Sequence, residues 1–167
     1  MEGSQRRSGV VLNQNVYLGK DGKRSREGLG YDAVRDLIKP FQGKQHHVYF
    51  DNFFCGPKLL EDLFVAKTYA CGYSAIETEV LPQLCTNKLK RGEKIVVQKG
   101  QSNLVFTKWH VKKDVCVLST NSDPTSAMVQ IERRQQGVEI EQVEKPQPVV
   151  LYNKSMGGVD HSDQLRS

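Results

Sequence analysis

No run of apolar residues in this 167-residue chain approaches the ~20 needed to cross a bilayer, and Met1 to Val10 lacks the apolar stretch of a secretory signal. The expectation is an intracellular protein with no membrane segment. Cysteine is scarce: Cys55, Cys71, Cys85 and Cys116 stand 16, 14 and 31 positions apart. That spacing matches neither a zinc knuckle nor a thioredoxin pair, so reduced, packed thiols are expected. Repeats of fixed period and low-complexity tracts are absent, and the 14 Gly and 6 Pro are dispersed, which excludes collagen, long disorder and a coiled coil. What is present is a composition 38% hydrophobic and 26% charged, enough for one modest core.

The charge is uneven. Residues 1–45 hold nine Lys/Arg against five Asp/Glu, and residues 86–115 hold eight against two, so these segments carry +4 and +6. Residues 46–85 carry −3 and 116–167 carry −2, which returns the total to +5. Clustered Lys/Arg can attract a phosphate backbone without reading its sequence, and a solvated basic face is the plainer alternative. Lys88, Lys90, Arg91, Lys94 and Lys99 fall within twelve positions flanked by turn residues, so several can face one backbone. They are the candidate nucleic-acid contacts, with weak binding to DNA and no sequence preference expected.

Along the chain, apolar residues from Val10 to Leu18 lead into Gly19-Lys20-Asp21-Gly22, a strand followed by a turn. Residues 31–41 place Ala33, Val34, Leu37, Ile38 and Phe41 at helical spacing until Pro40. A strand at residues 46–50 stops at Asp51, and Pro57 opens a second helix with Leu59, Leu60, Leu63 and Phe64 on one stripe. Another strand covers residues 67–73. This alternation predicts an α/β layer. After residue 74 the helical period fades, and strands are predicted at 95–98, 104–111, 115–119, 128–133 and 138–143. The organisation expected is therefore a core from 9 to 73, a β-rich insertion from 74 to 148, and a turn into a C-terminal helix over 149–167.

Two carboxylate positions carry candidate chemistry: Asp51 at the carboxyl end of an apolar strand, and Asp160 after a Gly-Gly pair with Asp163 one helical turn on. Converging carboxylates suit Mg²⁺ or Mn²⁺, and paired ions can clamp both oxygens of a phosphoryl transfer. Taken singly, Asp51 also reads as a turn residue and Asp160 as a helix-start acid. His46 and His47, adjacent on a strand, point to opposite faces and do not make a metal pair. Trp109 reads as core rather than as a base-stacking platform, and Cys55 as packing.

Tyr49-Phe50-Asp51-Asn52-Phe53-Phe54 resembles the segment around the second catalytic aspartate of piggyBac-type transposases, and Met156-Gly157-Gly158-Val159-Asp160 with Asp163-Gln164 resembles the segment of the third. Lys108-Trp109 and Lys112 to Thr120 are similar to a strand pair in that family's insertion, and Val16-Tyr17-Leu18-Gly19 to its Y-x-G strand. The resemblance spans about residues 9–165. It implies an α/β, RNase H-like (DDE transposase) core, truncated at the N-terminus, with a β-rich insertion domain. It further implies catalytic roles for Asp51, Asp160 and Asp163, Mg²⁺ or Mn²⁺ at Asp51 and Asp160, DNA as partner, and a nuclear location. Asp51 and Asp160, 109 positions apart, are then expected to converge. The family's first aspartate has no counterpart, because Met1 to Ser8 offer Glu2 as the sole acid. The implied protein is a transposase-derived fragment inactive alone, prone to self-association, as a homodimer or aggregate, through a sheet missing its first strand. The alternatives are a domesticated DNA- or protein-binding module without catalysis, and a plain structural domain.

Overall fold

The computed structural model describes residues 12–15, 26–74, 88–134 and 140–164, with side chains except at 133–134, 140–141 and 157–164. Gly28, at φ 94°, makes the turn into α1 (Leu29–Ile38), which buries Val34 and Ile38. Pro40 cannot donate to the helix, and the chain tightens into a single 3-10 turn over Lys39–Phe41. Then come β1 (His47–Phe50), α2 (Pro57–Val65) with Pro at its first position, and β2 (Tyr69–Tyr73). The predicted strand starting at residue 67 begins two residues later, because Lys67 takes φ 52° at the turn out of α2. Of the strand expected over 10–18, residues 12–15 are described and have no regular structure, Asn13 Nδ2 donating to the Leu37 carbonyl at 2.9 Å. The remainder of that strand, the turn at 19–22 and Cys85 lie outside the described residues.

Strands β3 (Lys94–Gln98), β4 (Val105–His110) and β5 (Asp114–Ser119) follow, each within a residue or two of its predicted span. They do not form a sheet of their own. β5 pairs antiparallel with β2, giving one five-stranded mixed sheet in the order β1-β2-β5-β4-β3, with β1 parallel to β2. A connection through α2 is what parallel neighbours require. β6 (Met128–Arg134) and β7 (Ile140–Pro146) make a separate two-stranded antiparallel ribbon, and α3 (Gln147–Gln164) starts at the next residue.

Strand alternation sends side chains to two faces. On one, Phe50, Ala70, Leu104, Phe106, Cys116 and Leu118 pack with Val34 and Ile38 of α1 and with Leu59, Leu60 and Leu63 of α2. On the other, Cys71, Trp109 and Val117 pack with Val149 and Tyr152 of α3. The result is a three-layer α/β/α arrangement in which β2 is covered on both sides. Trp109 is 5% exposed in this second cluster, so it is core, not a platform for a base.

The turn-then-helix expected after residue 149 is instead one helix from Gln147, which places Gly157 and Gly158 in its interior and Asp160 away from any helix start. Interior glycine costs about 1 kcal/mol against alanine. Val149, Tyr152 and Met156, at i, i+3 and i+7, lay an apolar stripe on the sheet that outweighs it.

Near the far end of β4, the Lys108 side chain is only 3% exposed and its Nζ lies 3.1 Å from Asp114 Oδ2. His110 Nδ1 is 2.5 Å from Asp114 Oδ1. A carboxylate only accepts, so that nitrogen carries the proton. Asp114 is held below the usual carboxylate range, chiefly by the hydrogen bond from His110, against partial burial that acts oppositely, and with help from Lys108. A depressed folded pKa contributes stability above the unfolded value, near ~3.9, and loses it as pH falls through the folded value. Stability should therefore fall from about pH 4 downward, and Asp114→Asn should flatten that limb. Denaturant titrations between pH 5 and 2 check this, and superimposable wild-type and variant slopes would refute it.

Candidate functional site

The apolar run Val48-Tyr49-Phe50 ends at Asp51 because the chain then folds back. Phe54 N–H donates to the Asp51 carbonyl at 3.0 Å and Cys55 N–H to the Asn52 carbonyl at 3.2 Å. Two glycines let neighbouring backbone approach this turn. A Cβ on Gly30 of α1 would sit 2.8 Å from the Phe53 carbonyl oxygen. One on Gly72 of β2 would sit 2.7 Å from that of Phe50 and 3.1 Å from Cys55 Sγ. The turn is thus pinned by α1 from one side and by β2 from the other.

The Asp51 carboxylate is exposed. Its Oδ1 accepts the Asn52 N–H at 2.7 Å, the short-range bond of a turn residue, and none of the ion pairs among the described residues includes it. It stands at a cleft of about 670 Å³ whose walls include Tyr49, Phe54, Tyr73, Tyr152 and Met156. Tyr152 stacks at 4.1 Å on Tyr73, whose hydroxyl donates to Asn153 Oδ1 at 3.1 Å. Burial first, and the negative charge of Asp51 second, push the Tyr152 hydroxyl up to about 12. The cleft therefore joins a carboxylate that is in no ion pair among the described residues to an aromatic wall in which the Tyr73 and Tyr152 hydroxyls hold their protons more tightly than a free tyrosine.

Asp160 and Asp163 stand in the last turns of α3, beyond the described side chains, Asp160 four residues after Met156. Among the described residues, no group of three His, Cys, Asp or Glu is placed to hold a metal. His46 lies edge-on to Phe41 and His47 against Tyr69, both as ring packing. Burial pushes the thiols of Cys55 and Cys71 up to about 12, so neither is a nucleophile at neutral pH.

Of the candidate basic contacts, Lys88, Lys90 and Arg91 are exposed in the turn before β3. Lys94 and Lys99 go elsewhere: Lys94 Nζ donates to the Ser126 carbonyl at 2.8 Å, while Lys99 Nζ pairs with Glu61 of α2, on the opposite face, at 2.8 Å. Five positions apart on a strand means opposite faces. Sequence reasoning missed Tyr73 and Tyr152 as cleft residues. Tyr73 and Tyr152 stand 79 positions apart, and their meeting depends on α3 crossing β2.

A family model described as Transposase IS4 matches residues 4–167. A cryo-EM structure of the piggyBac transposase synaptic complex with hairpin DNA is similar with a TM-score of 0.69 and 26% identity. The alignment covers 89% of this chain and 30% of that one, so the chain spans under a third of its relative's length.

The pinned turn makes a prediction about its glycines. Gly72→Ala forces a methyl group against backbone, and overpacking of this kind costs about 1–3 kcal/mol. Gly56, the N-cap of α2, has open space where a Cβ would stand and an extended φ of −147°, so alanine there meets no clash and should lose only the difference in capping, about 0.5–1 kcal/mol. Urea unfolding of the two variants checks the ranking; equal losses would show that the close approach at Gly72 does not constrain the fold.

Proposed function

The chain belongs to the IS4 transposase family, as a piggyBac-type transposase-derived domain with an RNase H-like α/β fold, and from this we propose that it engages DNA through a divalent-metal site at Asp51 and Asp160. The observation that carries the proposal is Asp51 itself: an exposed carboxylate in no ion pair among the described residues, at the carboxyl end of a parallel strand, facing a cleft. Ligand groups in open α/β sheets sit at such strand ends.

The family implies divalent metal use, and hard oxygen donors suit Mg²⁺ or Mn²⁺. Asp51 fits that role, because its only described hydrogen bond leaves Oδ2 uncommitted. Asp160 is the second ligand proposed: Tyr152 and Met156 both line the cleft, and residue 160 continues that four-residue step along α3. Asp163 follows three residues later and is proposed to support the site. When bound, the ion would polarise a phosphodiester oxygen and lower the pKa of a bound water. The chain's own contribution is to hold Asp51 on a pinned turn and to wall the cleft with Tyr49, Phe54 and Tyr152.

Two ions need more carboxylates than Asp51 and Asp160 provide, so the chain by itself is proposed to bind metal and DNA without strand transfer. Residues 9–73 and 149–167 are proposed to supply the core, and 74–148 to be an insertion whose strands extend the core sheet. β1 ends the strand order of the described sheet, which favours self-association along that edge. No described helix is long and apolar enough to cross a membrane, and a nuclear location is proposed because that is where a DNA-engaging domain meets its partner.

Binding of Mn²⁺, followed by isothermal titration, should be lost or weakened at least tenfold in Asp51→Asn and in Asp160→Asn while their melting temperatures stay near wild type. Supercoiled plasmid should remain uncut by the purified chain in Mg²⁺ or Mn²⁺. Wild-type affinity in Asp51→Asn would remove the metal site, and nicking abolished by Asp51→Ala would overturn the proposed inactivity.

A further inference from the structure

Strand register brings together basic residues that sequence keeps apart. Phe50 pairs with Gly72, Gly72 with Leu118, Leu118 with Phe106 and Phe106 with Val97, so these five form one row across the sheet. Asp51 is one residue past the row on β1. On the other strands the same direction leads toward His110 and Asp114, and back toward Glu93. The turn at 111–113 and the turn before β3 therefore lie side by side, at the end of the sheet where Asp51 sits. Their backbones are joined: Gly92 N–H donates to the His110 carbonyl at 2.8 Å and His110 N–H to the Glu93 carbonyl at 3.1 Å.

Lys88, Lys90 and Arg91 thereby meet Lys112 and Lys113, all five exposed. None is in an ion pair among the described residues. Of the nearby acids, Glu93 turns its carboxylate onto the Lys90 N–H at 2.7 Å, and Asp114 is taken by Lys108 and His110. Among the described residues, this end of the sheet is a cationic ledge that no carboxylate neutralises. Lys94 and Lys99, with their own partners, do not belong to it.

We propose that residues 88–91 and 112–113 form one phosphate-binding ledge for duplex DNA whose strand reaches Asp51. The proposal rests on the reading of Asp51 given above and adds the surface that would hold the nucleic acid. From β1 to β4 is three strand spacings of about 4.8 Å, and His110 lies three residues, about 10 Å, beyond the level of Asp51. The ledge is therefore roughly 20 Å from that carboxylate, which corresponds to about six base pairs at 3.4 Å per step of one strand. Phosphates that far from the reacting position can be held in register by side chains that take no part in chemistry.

The test is fluorescence anisotropy of the full chain with a 20-base-pair duplex in EDTA, from 25 to 200 mM salt. EDTA removes any metal contribution, so this experiment and the Mn²⁺ titration fail independently. The slope of log affinity against log salt should lose about 0.9 for each ledge cation that contacts phosphate, up to about 3.6 in Lys90→Ala/Arg91→Ala/Lys112→Ala/Lys113→Ala. Lys94→Ala and Lys99→Ala should keep the wild-type slope, and Lys112→Arg/Lys113→Arg should keep it as well. If the fourfold variant melts early, the two paired variants must each remove about 1.8. An unchanged slope in the ledge variants, an equal loss in Lys99→Ala, no duplex binding by wild type at 25 mM salt, or equal competition by an acidic peptide would each overturn the ledge.

Discussion

The seam between β2 and β5 is the constraint from which the rest of the molecule follows. Cys71, Gly72 and Tyr73 pair antiparallel with Ser119, Leu118 and Val117, joining segments more than forty positions apart. Thr120 closes one end: its N–H donates to the Ala70 carbonyl and its Oγ1 accepts the Ala70 N–H, both at 2.9 Å. Ser74 N–H reaches the Cys116 carbonyl at the other end at 3.0 Å. Ala70 and Cys71 are fully buried on opposite faces, so the seam is held by hydrogen bonds in the sheet and by apolar layers on both sides. Without it there is no common sheet, α3 has no floor, and neither the cleft beside Asp51 nor the cationic end acquires its position.

Much of this was legible locally. The stripe Leu59, Leu60 and Leu63 after Pro57 specifies α2, and the alternating apolar residues of β4 and β5 specify their strands, because in each case one short period decides the conformation. Two features escaped local reading for physical reasons. Gly157 and Gly158 signal a break, yet the stripe of Val149, Tyr152 and Met156 keeps the backbone helical through contact with a sheet built from distant sequence. The joining of β3–β5 to β1 and β2 is a pairing between open edges that no composition encodes. For the candidate site the division is similar. Asp51 is visible as the end of an apolar strand, but the meeting of Tyr73 with Tyr152 and the meeting of the turn at 111–113 with the turn before β3 arise only through tertiary packing and register.

Electrostatically the chain separates two uses of charge. Lys108 and Asp114 face each other with Lys108 out of water, where breaking the pair by removing one partner is costly. Asp51 and the lysines of the two turns are exposed and in no ion pair among the described residues, where each contributes little to stability. Charges that hold the fold and charges that meet a ligand are thus different residues, although Lys108 and Lys112 are four positions apart.

The junction between β7 and α3 has a mechanical meaning. Pro146 ends the strand and Gln147 begins the helix with no loop between them. A flexible linker would absorb displacement, whereas a ring-locked backbone at that point passes it on. The direction of the β6–β7 ribbon and the direction of α3 are therefore fixed together, with Val149 seated in the core just past the junction. A load on the ribbon would reach the helix that carries Asp160 through a stiff coupling rather than be lost in a hinge.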